Sequence, residues 1–173
     1  MPEGSYDYRN CQSLFGYAMG VHIRWGAVCA LCGAGAKELS FDLWRQMTVE
    51  HLIGEGQGGY LKAIREAVRS RFPDLTPGEL VSLVEGIDEA NTVTACSFCN
   101  ATTSRDRAEQ TMEEVLSVEG GPERVLDHVR AVTQSILDKK QRNVAWKLDS
   151  VRAAYENTVL PRLTETRLGG RPS

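Results

Sequence analysis

The sequence predicts an α+β protein that is mostly helical. Three observations carry this: only two short runs are β-prone, several longer stretches repeat apolar residues every three to four positions, and two Cys-x-x-C pairs bracket the β-prone runs. With 173 residues and 42% hydrophobic content the chain can bury one real core, so one domain with an appended helical region is expected.

Taken in order, residues 13–23 are weakly helical in pattern and lead into "WGAVCALCGAG", a turn-rich stretch with the first Cys-x-x-C. "LSFDLWRQMTVEHL" is rich in β-branched and aromatic residues and predicts a strand over about 43–50, followed by a loop with four glycines. "GYLKAIREAVRSRF" places Leu61, Ile64, Val68 and Phe72 on one helical stripe that stops before Pro73. Thr76, Pro77 and Glu79 then mark the start of a second helix as N-cap, first helical residue and capping-box partner. "NTVTAC" predicts a second strand over about 92–95, and "SFCNATTSRDRAEQTMEEVLS" one long helix ending before Gly120 and Gly121. Pro122 opens a helix striped by Val125, Val129, Val132 and Ile136; a further helix carries Trp146, Val151, Ala154 and Tyr155 and ends at Pro161. The expected division is a core over 1–120 with a helical insert at about 58–90, a helical extension over 121–163, and a flexible tail over 164–173.

No apolar run approaches the roughly 18 residues that span a bilayer, and the start lacks a signal-peptide layout, so a cytoplasmic protein with no membrane partner is expected. In a reducing compartment, paired cysteines bind metal more often than they form disulfides. Cys29 and Cys32, with Cys96 and Cys99, can complete a tetrahedral structural zinc site, and the long segment between the pairs loops out at only logarithmic entropy cost. The rival readings are a redox dithiol, which lacks a thioredoxin-like setting here, or unrelated buried cysteines. Cys11 reads as a buried small hydrophobe.

A net charge of −3 does not advertise a nucleic-acid binder, so such a partner must be met by a local patch. Lys62, Arg65, Arg69 and Arg71 form one candidate, and Lys139, Lys140, Arg142 and Lys147 another; each also reads as a solvated helix face. His22 reads as a packed helix residue and His128 as incidental.

The order Glu50-His51, glycine loop, Asn91, Cys96-x-x-Cys99-Asn100 and helix, over about residues 28–109, resembles the HNH nuclease family of the ββα-metal fold. The resemblance implies a two-stranded hairpin plus helix with structural zinc, to which the residue pattern adds a helical insertion and a helical C-terminal extension. It further implies that His51 is the general base activating water, that Glu50 and Asn100 bind Mg²⁺ or Mn²⁺, and that Asn91 fixes the loop and the orientation of His51. The activity implied is metal-dependent hydrolysis of phosphodiester bonds in double-stranded DNA, in settings such as restriction or phage defence. An imidazole and one carboxylate-bound ion supply the two parts this chemistry needs. The sequence departs from the family pattern in having Glu50 where Asp or His is usual, a long segment between His51 and Asn91, and "ATTS" after Asn100, with Arg105 as the nearest cation.

In a regular strand Glu50 and His51 point to opposite faces, so both serve one site only if the strand ends there and the backbone turns at the glycines from Gly54. In a continuous helix Asn100, Ser104 and Arg107 share a face, which makes Arg107 either a phosphate contact or a solvated arginine. The insert, with its basic residues, is either a substrate-gripping arm or a packing appendage. Alternatives to the DNase are a non-catalytic, zinc-stabilised nucleic-acid-binding module and an RNase or toxin on the same scaffold. The C-terminal helices are the candidate surface for a protein partner or a second copy.

Overall fold

The computed structural model describes residues 16–103 and 106–169; Cys11, Ser104, Arg105 and residues 170–173 lie outside them. The architecture is the expected α+β type, mostly helical, around one antiparallel hairpin. β1 (Met47–His51) pairs with β2 (Thr92–Cys96) in the register Met47↔Cys96 through His51↔Thr92. Before it come α1 (Tyr17–Arg24) and a single helical turn, α2 (Phe41–Trp44). The β-prone run therefore becomes strand later than its composition suggests. Ser40 caps α2, its Oγ accepting from the Leu43 N–H at 3.2 Å, and this local bond overrides the propensity of Phe41 and Trp44.

Between the strands lie a 3₁₀ turn (Glu55–Gln57), α3 (Leu61–Arg71) and α4 (Pro77–Asn91), the last begun by the Thr76–Glu79 capping box that its sequence signals. The single helix expected over 97–118 is instead two: α5 (Ser97–Thr103) and α6 (Met112–Leu116). Thr103 turns its hydroxyl back onto the Cys99 carbonyl, and α6 restarts at its own Thr111–Glu114 capping box, which marks a true helix beginning.

The two helices expected after Pro122 are one, α7 (Pro122–Ala154, 33 residues), because no glycine or further proline interrupts it. Pro161 does not end the helical path either. A π-helical turn (Tyr155–Val159) precedes α8 (Leu160–Gly169), and its wider winding relieves the clash a proline ring makes with the preceding turn. Residues 164–169, read as tail, are thus helical. Among the described residues no helix is long and apolar enough to cross a membrane.

Two apolar clusters hold the chain. One packs Ile64 and Val68 of α3, Val84 and Ile87 of α4, and Met112 and Val115 of α6 against Val125 and Val129 of α7. The other packs Met47, Val93, Ala95, Cys29 and Cys99 against Leu137 and Val144 further along α7. The insert is therefore core rather than appendage, and α7 closes both clusters.

Gly59 marks the tightest turn. A Cβ there would lie 1.6 Å from the Ile53 carbonyl oxygen, whereas one at Gly56 meets nothing within 4 Å. Gly59→Ala should lower unfolding stability by about 2–4 kcal/mol while Gly56→Ala changes it by less than about 0.5 kcal/mol, as read from urea unfolding midpoints.

Candidate functional site

The first Cys-x-x-C sits in a tight turn in which the Cys29 N–H donates to the Ala34 carbonyl at 2.9 Å and the Gly33 N–H to the Cys29 carbonyl at 2.8 Å. The Ala30 N–H docks that turn on β2 through the Thr94 carbonyl at 2.8 Å. The second pair spans the end of β2 and the first turn of α5. Because the two strands pair, the knuckles meet: all four Sγ atoms lie within 4.8 Å of one another, Cys32 and Cys96 at 4.0 Å.

Tetrahedral zinc with bonds of about 2.3 Å requires sulfur separations of about 3.8 Å, so the quartet fits such an ion. Packed this closely, four thiolates repel one another. Contacts from Cys96 and Cys99 pull the Cys29 thiol down, and burial, more than any other cause, pushes the Cys32 thiol up to about 11. A divalent cation at the centre lets all four ionise. The redox reading, which uses one pair, does not explain why the two pairs converge. No other group of three or more His, Cys, Asp and Glu side chains converges this way among the described residues.

Asn91, the last residue of α4, is fully buried and makes three bonds to the loop after β1. Its Oδ1 accepts from the Ile53 N–H at 2.8 Å, and its Nδ2 donates to the carbonyls of Ile53 at 3.0 Å and Gly59 at 2.9 Å. This is the loop-fixing position assigned to Asn91, with the one change that it closes a helix rather than opening a strand.

Glu50 and His51 do not turn together. His51 is still paired in β1, so the pleat alternates: Thr48 and Glu50 face α5 and α7, while His51, Thr92 and Thr94 face α1. On the α1 side the His51 ring lies near parallel to Tyr17 at 6.2 Å and against Tyr60 at 4.1 Å between centroids. Tyr17 has one hydroxyl proton and donates it to Asp88 Oδ1 at 3.0 Å. His51 Nε2, 3.3 Å from the Tyr17 hydroxyl oxygen, must then carry the hydrogen of that contact, leaving Nδ1 with the lone pair. Burial lowers the His51 pKa to about 4, so the ring is neutral near neutral pH and able to accept a proton. A cleft of about 650 Å³ beside it is bordered by Tyr17, His22, Tyr60 and Lys62.

On the other face Lys140 of α7 donates to Glu50 Oε1 at 2.5 Å, with both side chains buried. Asn100 spends its Nδ2 on Thr48 Oγ1 at 2.9 Å and the Val49 carbonyl at 3.4 Å, clipping α5 to β1. A divalent ion at Glu50 does not fit this donor set, because an ammonium already holds Oε1 and would repel a second cation on Oε2. A cavity of about 220 Å³ there is bordered by Glu50, His51, Thr103, Asp106, Arg107 and Lys140. His51 thus lies at the boundary of both cavities, and Arg107 reaches the site although it is not helical. Gln57 places it by bridging the backbone of Ala108, Nε2 to the carbonyl at 2.8 Å and Oε1 from the N–H at 3.0 Å.

The basic residues separate. Lys62 borders the His51 cleft, Arg65 and Arg69 lie exposed on the outer face of α3, and Arg71 caps the Val118 carbonyl at 2.6 Å. Lys139 pairs with Glu109 and Lys147 with the Thr102 carbonyl. His22 is buried against Thr94. Sequence reasoning missed Tyr17, Asp88 and Tyr60, for which no local signal exists, and the inward direction of Lys140. That last was legible, since the positions 133, 137, 140 and 144 continue the buried stripe of α7.

No family model, curated protein or solved structure matches this chain, so the site is read from its own chemistry.

Cys99→Ser should lose the metal uptake that the quartet allows, by metal analysis, and lower the thermal midpoint of metal-loaded protein, since binding energy at such a site adds to folding energy. The unfolded histidine titrates near its ordinary 6.5 and the folded His51 near 4, so the unfolded chain binds the proton more readily between these values. Stability should therefore fall as pH drops from about 6.5 toward 4, and fall less steeply in His51→Gln, as followed by urea unfolding across that range.

Proposed function

We propose that this protein is a nuclease that hydrolyses phosphodiester bonds in DNA at a zinc-stabilised hairpin-and-helix centre similar to that of the HNH family. The observation that carries the reading is Asn91: a buried amide fixes the loop directly after His51, while the cysteine quartet fixes the helix turn that bears Asn100. In the proposed reaction the lone pair of His51 Nδ1 takes the proton of a water as its oxygen attacks phosphorus. The bond from phosphorus to the 3′ oxygen breaks, and that oxygen leaves and takes a proton from solvent, giving 5′-phosphate and 3′-hydroxyl ends, while Arg107 and Lys62 hold phosphate oxygens on either side of the strand end.

Of the two ions the resemblance implies, the cysteine quartet supports zinc, and the Glu50–Lys140 pair stands against Mg²⁺ or Mn²⁺ at Glu50. The same pair favours the second reading, a non-catalytic binding module, in which Glu50 has become a structural residue. The exposed apolar positions Val151, Tyr155, Val159 and Leu163, four residues apart, support the expectation that the C-terminal helix meets another protein surface. Phage defence or restriction are settings in which such an enzyme works.

The test is nicking of supercoiled plasmid by zinc-loaded protein, with Mg²⁺, with Mn²⁺ and without added divalent ion, beside labelled RNA. His51→Ala should lose about a hundredfold or more in rate, the scale of general-base catalysis. Retained binding with no cleavage in any condition selects the binding module, cleavage of RNA alone selects the ribonuclease, and equal nicking by both proteins removes His51 from the chemistry.

A further inference from the structure

Lys140 is the least expected charge in the fold. It lies on the buried stripe of α7, between Leu137 and Val144, and both it and Glu50 are more than nine-tenths buried. A lysine brought into a core at that depth must meet an acceptor, and Glu50 is the one it meets. α7 cannot swing away to free it. Val129 and Leu137 sit in different apolar clusters, Gln141 Nε2 donates to the Ala30 carbonyl beside the cysteine quartet at 2.8 Å, and Lys147 Nζ donates to the Thr102 carbonyl at the end of α5 at 3.0 Å.

Nζ already holds Oε1 of Glu50, and a divalent ion taken on Oε2 at about 2.0–2.6 Å would lie within a few ångströms of the ammonium, where the two cations repel. Driving Lys140 out would leave its charge buried without a partner while α7 stays fixed. Lys140 and Arg107 both border the cavity shared with Glu50 and Thr103, so a phosphodiester oxygen entering there comes near two protein cations. Lysine binds phosphate as a point charge and needs no fixed plane to do so.

We infer that Lys140 is the resident cation of the Glu50 centre and supplies, in place of a divalent metal ion, the positive charge that faces the phosphodiester; this rests on the nuclease reading. Glu50 then serves as a positioning residue, holding the ammonium beside the cavity, and the enzyme needs zinc for its fold but no second metal for its reaction.

Mn²⁺ is the probe, read by the loss of its free-ion magnetic resonance signal on adding zinc-loaded, full-length protein. The wild type should leave the signal unchanged. Lys140→Met, close in volume and uncharged, should take up the ion through the freed Glu50. The neutral double variant Glu50→Gln/Lys140→Met, which buries no unpaired charge and so guards against misfolding, should not bind it. Mn²⁺ uptake by the wild type that the double variant lacks overturns the inference.

In the plasmid assay without added divalent ions the wild type should nick, Lys140→Arg should retain much of that rate, and Lys140→Met should fall by about a hundredfold, the scale of removing one group that stabilises transition-state charge. Wild-type nicking that appears only with Mg²⁺ or Mn²⁺ also overturns it. A wild type that nicks under no condition sinks the nuclease reading instead, and Mn²⁺ uptake still decides whether Lys140 holds the cation position.

Discussion

Three hydrogen bonds from one buried amide set the geometry on which the site depends. Asn91 stands where α4 passes into β2, and its side chain reaches across to the backbone of Ile53 and Gly59. The reach fixes where β1 must stop and brings Gly59 so close to Ile53 that no side chain is tolerated there. It also returns the chain into α3 at the angle that packs the insert on the core. A buried amide with its carbonyl and both N–H groups satisfied is stable only in one arrangement, so the bond set specifies position as much as it stabilises.

The second constraint is the pleat of β1. Two neighbouring side chains on a paired strand diverge, and Glu50 and His51 obey this up to the last pair with Thr92. The imidazole is consequently surrounded by aromatic rings and an acid–phenol pair, while the carboxylate meets α7. Each environment constrains its residue: burial holds His51 neutral with Nε2 against the Tyr17 hydroxyl, and Glu50 is paired with a lysine. The separation places base and charge on two sides of a strand end rather than on one ion.

Much of the fold was written in local chemistry. The capping box at Thr76, the stripe of α3, the pairing run before Cys96 and the knuckle spacing each depend on residues within a turn or two of one another, and each appears where its pattern puts it. The misreadings share a cause as well. A run such as "SFDLW" has strand composition, but Ser40 supplies a cap; a stretch from 97 to 118 has helical periodicity, but the Thr111–Glu114 capping box begins a separate helix within it. Periodicity reports which residues suit a face, and single hydrogen bonds decide where an element begins and ends.

By itself the sequence determined the helical α+β class, the four cysteines able to hold one ion, and the identity of the groups able to do acid–base work, because spacing and side-chain chemistry are local properties. Only the tertiary structure decided which of those groups face one another. That Lys140 meets Glu50 across ninety positions of chain, that Tyr17 and Asp88 orient His51, and that Gln57 rather than helical spacing carries Arg107 to the site all follow from packing. Contacts between distant residues are set by how the apolar faces of α4 and α7 bury against the hairpin, and no window along the chain contains that information.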